Sequence, residues 1–254
     1  MVRLTSRGSA QLAADASSAR VHQSIHNEIL LGLPQKEYGR VVPELELVEF
    51  AGHEVLNEMG ARIDSCYFVN SGLISILTVM TSGKSVEVGI SGKEGFVGLP
   101  LVVGLATSAT RAVAQVAGNA FRITTAAMVR VLPKCPQLEK GLNRYTQVLG
   151  LQAVQVAACN RLHEVDQRLA RWLLMSQDRI GGDFVPLTQE FLAHMLGTRR
   201  ASVTVAAGYL QDAGLIRYTR GAVTIVNRAK LELASCECYT IMNRQARNWR
   251  NELQ

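Results

Sequence analysis

The 254-residue sequence lacks the features that mark membrane-spanning, secreted and disulfide-stabilised proteins. No stretch approaches the roughly 18 consecutive apolar residues of a membrane span, and the first twenty residues lack the apolar run of a signal peptide. The five cysteines are scattered and include no CxxC pair, whereas a disulfide framework is denser and even-numbered. We therefore expect a cytoplasmic protein with reduced thiols and no membrane association.

Disorder of the whole chain is also excluded, because hydrophobic residues make up 48% of it and charged residues only 19%. The net charge is +6, and the excess is concentrated near the C-terminus. Residues 186–254 hold nine Lys and Arg against five Asp and Glu, whereas residues 1–160 hold 14 against 12. This distribution favours an anionic partner for the C-terminal part.

Residue composition and glycine spacing distinguish two segments in the N-terminal half of the sequence. Residues 1–20 are rich in Ser and Ala and predict a mobile tail. Residues 44–124 consist of short β-prone runs separated by single glycines, a spacing typical of antiparallel strands and tight turns. Together with a short helix before Pro34, they predict an antiparallel β-sandwich or small barrel over residues 21–135.

A long helix is predicted over residues 136–161. Its side chains repeat every seven residues in two rows, Leu142-Leu149-Val156 and Tyr145-Gln152-Cys159. The resulting 3.5-residue spacing is typical of a helix that packs along a partner helix. We predict that these rows pair two copies of the chain into a homodimer. The alternative is an amphipathic helix that lies on its own domain.

The C-terminal part predicts a small helix-rich domain over residues 162–231 and a helical extension over residues 232–254. Thr188 can cap a first helix, and Gly197 stands where two helices meet at a steep angle. A second helix is predicted from Arg199 to Asp212, and Thr219-Arg220-Gly221 reads as a hairpin turn. The predicted fold class is α+β, with a winged helix-turn-helix after the long helix.

The second of these helices has the residue pattern of a DNA-reading helix. Its inner face is predicted to be Val203, Ala206, Ala207 and Leu210, and its outer face Arg200, Ala201, Thr204 and Val205. The helix dipole disfavours two cationic arginines at a helix N-terminus. Their presence there favours phosphates or guanine edges as their partners. We predict that Arg199 and Arg200 contact guanine or phosphate, that Thr204 adds a polar base contact, and that Ala201 or Val205 contacts a thymine methyl group. Phosphate contacts are predicted from Thr188, Gln189, Ser202 and Arg220.

Taken together, these motifs resemble the Crp/Fnr family of bacterial transcription regulators. The resemblance covers roughly residues 27–240 and includes NEILLGLP at 27–34, VNSG at 69–72, GKEGFVG at 92–98 and Arg111-Ala112. It implies a β-roll sensor domain, a dimerisation helix and a winged-helix domain that binds a palindromic operator in double-stranded DNA. RNA polymerase is a further candidate partner.

The resemblance also places a degenerate effector site in the sensor domain. Cyclic-nucleotide binders of this fold pair the cyclic phosphate with an Arg followed by Ser or Thr, and the ribose with the Glu of a Gly-Glu pair. Here Arg111 is followed by Ala112, and Gly95 is followed by Phe96. A site without the hydroxyl donor and the ribose-binding carboxylate loses several kcal/mol of binding free energy, because each charge-assisted hydrogen bond contributes roughly 1.5–3 kcal/mol. We therefore expect no dependence on cyclic AMP.

No catalytic residue and no cofactor are predicted. The five histidines show no ligand spacing in the sequence, so we expect no metal site, and Cys236 and Cys238 are assigned to the packing of a C-terminal helix. A redox response of these two thiols is the alternative. Two other functions stay open, namely a small-molecule sensor that acts through protein contacts and a metal-dependent β-roll enzyme.

Overall fold

The computed structural model describes residues 25–219 and 221–251, with side chains up to position 249. The predicted tail at 1–20 and the predicted contact residue Arg220 lie outside the described residues. Among the helices that are described, none combines the length and the apolar character needed to span a membrane.

The N-terminal half forms two four-stranded antiparallel sheets, in the orders β1-β8-β3-β6 and β2-β7-β4-β5. Alternation positions the side chains, as in β3, where Cys66 and Phe68 are buried and Ser65 and Tyr67 are partly exposed. The inner faces meet in one apolar cluster that includes Phe50 and residues of both sheets. The strands are β1 Glu46–Phe50, β2 Val55–Asn57, β3 Ser65–Val69, β4 Leu73–Val79, β5 Ser85–Ser91, β6 Phe96–Val97, β7 Arg111–Val116 and β8 Gly118–Thr124.

Short helices close one side of these sheets. Asn27 begins the first of them, because its side-chain oxygen accepts a hydrogen bond from the Leu30 backbone N–H. The Asn27 amide also donates to the carbonyl oxygens of Val69 and Gly95, at 2.7 and 2.8 Å. The helices are α1 Glu28–Leu31, α2 Gln35–Val41 and α3 Thr125–Val131, with 3₁₀ turns at Val42–Glu44, Leu99–Val103 and Leu132–Lys134.

The predicted long helix is α4, Pro136–Leu162. Its N-terminus is fixed by Glu37, whose carboxylate accepts hydrogen bonds from the backbone N–H groups of Gln137 and Leu138 at 3.0–3.1 Å. These bonds satisfy two of the donors that a helix N-terminus leaves free. The helix is therefore held against the N-terminal domain from its first turn.

The heptad rows of α4 pack on the same chain, so the prediction that they form the contact with a second copy is wrong. Leu142 and Tyr145 join the apolar core of the N-terminal domain. The Gln152 side-chain amide accepts from the Ile90 N–H at 3.0 Å and donates to the Ile90 carbonyl at 3.3 Å. A 3.5-residue repeat identifies a face that is buried, but not the chain that buries it.

The C-terminal part contains the predicted winged helix-turn-helix. The helices are α5 Val165–Ile180, α6 Gln189–Met195, α7 Arg200–Asp212, α8 Arg228–Ala234 and α9 Cys238–Asn251, and the strands are β9 Phe184–Val185, β10 Ile216–Thr219 and β11 Ala222–Ile225. The strands form one sheet in the order β10-β11-β9. Its core is continuous with residues of β4, β5 and β7, so this domain docks on the sensor domain. The α+β fold class is confirmed.

Candidate nucleic-acid interface and effector site

The helix-turn-helix consists of α6 and α7, and its turn is at Gly197. Gly197 has a φ of +58°, in the left-handed region that glycine adopts without strain. The side chain of Thr188 accepts a hydrogen bond from the Phe191 N–H at 3.2 Å, which caps α6 as predicted. The sequence prediction of both features is confirmed.

The two faces of α7 have opposite surroundings. The predicted inner face, Val203, Ala206, Ala207 and Leu210, is buried, and the predicted outer face, Arg200, Ala201, Thr204 and Val205, is exposed. The helix begins one residue later than predicted, because Arg199 has extended backbone angles and occupies the N-cap position. Both arginines are exposed and Ser202 is half-buried.

Thr204 links the two helices at this surface. Its hydroxyl oxygen lies 2.9 Å from the Gln189 side-chain oxygen and 3.1 Å from the Arg200 carbonyl oxygen. One hydroxyl proton serves one of these acceptors at a time, and the oxygen keeps lone pairs for a further donor. Thr204 and Gln189 therefore form one polar surface with the start of α7.

The wing is the hairpin of β10 and β11, with Arg217 paired to Thr224. Gly221 has a φ of +84°, which agrees with the predicted glycine turn. The neighbouring position of Arg220 is not described, so its contact stays a prediction.

In the sensor domain, the predicted effector residues Gly95 and Phe96 are part of the core. Phe96 is 1% exposed and packs on Phe68, with ring centroids 4.7 Å apart. At Gly95, a Cβ atom would stand 2.4 Å from the Tyr145 hydroxyl oxygen. The position at which the resemblance places a ribose-binding carboxylate is thus filled by an aromatic side chain.

The predicted phosphate ligand Arg111 lies on the other sheet and already has an anionic partner. Its Nε is 2.7 Å from an Oε of Glu58, and both side chains are partly exposed. The hydrogen bond from Arg111 lowers the pKa of Glu58. The next residue, Ala112, is buried in the cluster between the sheets. Arg111 and Phe96 are therefore held by different partners.

Two family models match the chain in the order that the fold suggests. A cyclic nucleotide-binding domain matches residues 47–134, and a Crp-like helix-turn-helix domain matches residues 167–234. The chain belongs to the Crp/Fnr family of transcription regulators. It is a DNA-binding transcription regulator.

Solved structures of Crp/Fnr regulators share the fold. A Crp/Fnr-family regulator from Eubacterium rectale is 15% identical, with a TM-score of 0.64 over 82% of this chain and 98% of its own. FixK2 from Bradyrhizobium japonicum is 15% identical, with 0.64 over 76% and 98%. The c-di-GMP-responsive global regulator CLP from Xanthomonas campestris is 17% identical, with 0.62 over 76% and 99%. The search of curated proteins found no significant match.

In this Crp/Fnr regulator, a buried carboxyl group connects the sensor domain to α5. Glu87 of β5 accepts hydrogen bonds from the Ser75 hydroxyl and from the Trp172 indole N–H, both at 2.6 Å. Burial raises the pKa of Glu87 to about 7, although both hydrogen bonds favour the charged form. The Glu87 carboxyl at this contact between the domains therefore gains or loses its proton near neutral pH.

An ion pair and the helix-turn-helix turn extend this contact between the domains. Arg179 of α5 is 2.7 Å from Glu94, and both side chains are largely buried. Gly197 lies beside Val86 of β5, whose Cγ2 would stand 3.1 Å from an added Cβ. The turn of the helix-turn-helix is thus packed directly on strand β5.

The sequence analysis missed one cluster of side chains that could hold a metal ion. Cys159, His163, Cys236 and Cys238 place their ligand atoms within 4.8 Å of one another. Cys236 and Cys238 do pack against a helix, but their neighbours at the C-terminal end of α4 are the thiol of Cys159 and the imidazole of His163, the residue after the helix. The separation of 73 residues between His163 and Cys236 hides the grouping in the sequence. The four-residue step from Cys159 to His163 was its available signal.

Proposed function

We propose that this regulator binds a palindromic DNA operator as a homodimer and that cyclic AMP is not its effector. The observation that carries the DNA-reading part is the exposed outer face of α7, which begins with two arginines and continues with small or polar residues. Residues at the start of such a helix reach base edges in the major groove.

Within this surface we assign different roles to the two arginines. Arg200 belongs to the first turn of α7, on the same face as Thr204, and we propose that it contacts guanine. Arg199 precedes the helix, and we propose a phosphate contact for it. Ala201 fits a thymine methyl group, while Thr188, Gln189, Ser202 and Arg220 are proposed to fix the register on the backbone.

We propose that the dimer forms through the face of α4 that the chain leaves exposed. Residues on this face alternate in steps of four and three, and all of them are exposed: Asn143, Gln147, Gly150, Val154, Ala157 and Arg161. Val154 is 70% exposed, and Leu162 at the end of the helix is 74% exposed. The small residues Gly150 and Ala157 allow two such helices to approach closely. In the resulting dimer the two helix-turn-helix units would bind half-sites about one DNA turn apart.

Independence from cyclic AMP is supported by the packing of Phe96 and the ion pair of Arg111 with Glu58. A cyclic nucleotide in this position would have to displace a core aromatic ring and would lack the ribose carboxylate. The effector stays open. The related fold of CLP, described as responsive to c-di-GMP, suggests screening other nucleotides first.

We further propose a cytoplasmic location, because the proposed partner is the genome, and RNA polymerase as a second partner. A sensor that acts only through protein contacts is the competing function. An exposed arginine-led helix favours DNA over that alternative, because such a surface neutralises phosphates.

The test is a selection of binding sites from randomised duplex DNA with the full-length protein. We expect a palindromic consensus with two half-sites. Arg200→Ala should remove the preference at one base pair of each half-site, a loss of roughly 1–3 kcal/mol of discrimination. Arg199→Ala is the matched variant and should weaken binding without changing the consensus. Failure to enrich any sequence would favour the protein-contact alternative.

A further inference from the structure

Four side chains that can bind metal ions converge at the C-terminal end of α4. The Sγ atoms of Cys159 and Cys236 are 3.5 Å apart, and Cys238 Sγ is 3.6 Å from Nδ1 of His163. Two thiolates bound tetrahedrally to zinc stand roughly 3.8 Å apart, since the Zn–S bond is about 2.3 Å. A disulfide would need about 2.05 Å, and all five cysteines are free.

The backbone fixes both halves of this group before any ligand is bound. Cys159 lies in the last turn of α4, and its carbonyl oxygen accepts a hydrogen bond from the N–H of His163 at 3.1 Å. Cys236 and Cys238 flank the junction of α8 and α9. The three cysteines are at most 3% exposed, and the His163 side chain is 14% exposed.

Side chains around the cluster hydrogen-bond to His163 and Cys238, as neighbouring groups do to the ligands of metal sites. Glu237 Oε2 is 3.1 Å from Nε2 of His163, so a proton shared at Nε2 leaves Nδ1 free to face the thiols. A carboxylate on the remote nitrogen is the usual partner of a metal-binding histidine. The Gln155 amide also lies 3.1 Å from Cys238 Sγ and donates to it.

Charge points in the same direction. Arg168 and Arg171 are 6% and 4% exposed, and within the described part of the chain their Nε atoms have no hydrogen-bond partner. Both guanidinium groups interact electrostatically with Cys159. Buried cations are costly unless they are paired. A zinc ion with three thiolates and a neutral imidazole carries a net charge of −1 and would add an anionic group near this pair, of which Arg171 already interacts with the Glu87 carboxyl.

We propose that Cys159, His163, Cys236 and Cys238 bind one zinc ion as a closed structural site. Three thiolates and one imidazole fill the four positions of tetrahedral zinc, with no position left for a substrate. The metal would join the end of α4 to the junction of α8 and α9. It would also fix the connection at His163 and Glu164, where the chain enters α5, and hence the direction in which the DNA-binding domain leaves the long helix.

Elemental analysis of the full-length protein, purified under reducing conditions without chelator, tests the proposal. We expect about one zinc per chain in the unmodified protein. The double variant Cys236→Ser/Cys238→Ser should retain below about a tenth of that. Cys66→Ser, which changes a buried free thiol of the sensor core, is the matched control and should keep the zinc. Cobalt exchanged into the site should show the absorption of tetrahedral thiolate coordination.

A zinc content below a tenth of an equivalent after reconstitution with zinc, without the cobalt absorption, would overturn the proposal. Iron and acid-labile sulfide in place of zinc would overturn it as well, as would a double variant that keeps its metal. If the double variant does not fold, Glu237→Gln replaces it, because the Glu237 side chain is 68% exposed. This change should weaken zinc affinity roughly 10–100-fold in competition with a chromophoric chelator, and an unchanged affinity would contradict the assigned geometry.

Discussion

The buried carboxyl of Glu87 should make the stability of this regulator fall as the pH rises toward neutrality. Its pKa is about 7 in the folded chain, against 4.5 when exposed. Between these values the unfolded chain releases the proton while the folded chain keeps it, so the free energy of unfolding decreases as the pH rises. At about 1.4 kcal/mol per pH unit, the loss amounts to about 3 kcal/mol and is complete above pH 7.

Glu87→Gln removes this titration and keeps the shape of the protonated side chain. The amide oxygen can still accept from the Trp172 indole, and the amide nitrogen can donate to Ser75. Urea unfolding at intervals between pH 5 and 8 should show the variant gaining stability over the unmodified protein, by about 3 kcal/mol across the range. Glu139→Gln, at an exposed position of α4, is the control and should follow the unmodified protein. If Glu87→Gln followed it too, the reasoning would be refuted.

Two further predictions concern the effector and the dimer. Calorimetric titration with cyclic AMP should show no saturable heat at micromolar nucleotide, because Phe96 fills the ribose position; a micromolar isotherm would restore Arg111 as a phosphate ligand. Val154→Asp should convert the dimer to monomer in sedimentation, since two like charges would face each other across the helices. Asn160→Asp, also exposed on α4 but about a third of a turn around the helix from Val154, is its control, and a dimer unaffected by Val154→Asp would place the interface elsewhere.

Local chemistry explains which parts of the fold the sequence predicts. Short runs bounded by glycines predict the strands. Turns with positive φ favour glycine, and strands with one buried face alternate apolar and polar residues. The helix-turn-helix is likewise local, and Thr188, Gly197 and the inner face of α7 are each readable within one or two turns. The observed start of α7 is one residue later than the predicted start. Backbone angles define the N-cap position, and the residue type of Arg199 does not indicate it.

Contacts between distant segments account for what the sequence does not predict. The heptad rows of α4 predict burial, but packing on the sensor domain depends on where β5 lies. The pairing of Glu87 with Trp172 joins residues 85 positions apart and has no periodic signal. The cysteine and histidine cluster was missed for the same reason, because each half is unremarkable until the helices bring them together.

The contact of Gln152 with Ile90 has a consequence for solubility as well as for packing. Strand β5 is the outermost strand of its sheet, and such strands present unpaired backbone groups that can recruit other chains. The amide of Gln152 engages both backbone groups of Ile90 as a neighbouring strand would. Any movement that lifts α4 from the sensor domain uncovers this edge, so a contact that helps to hold α4 in place also protects the chain from aggregation.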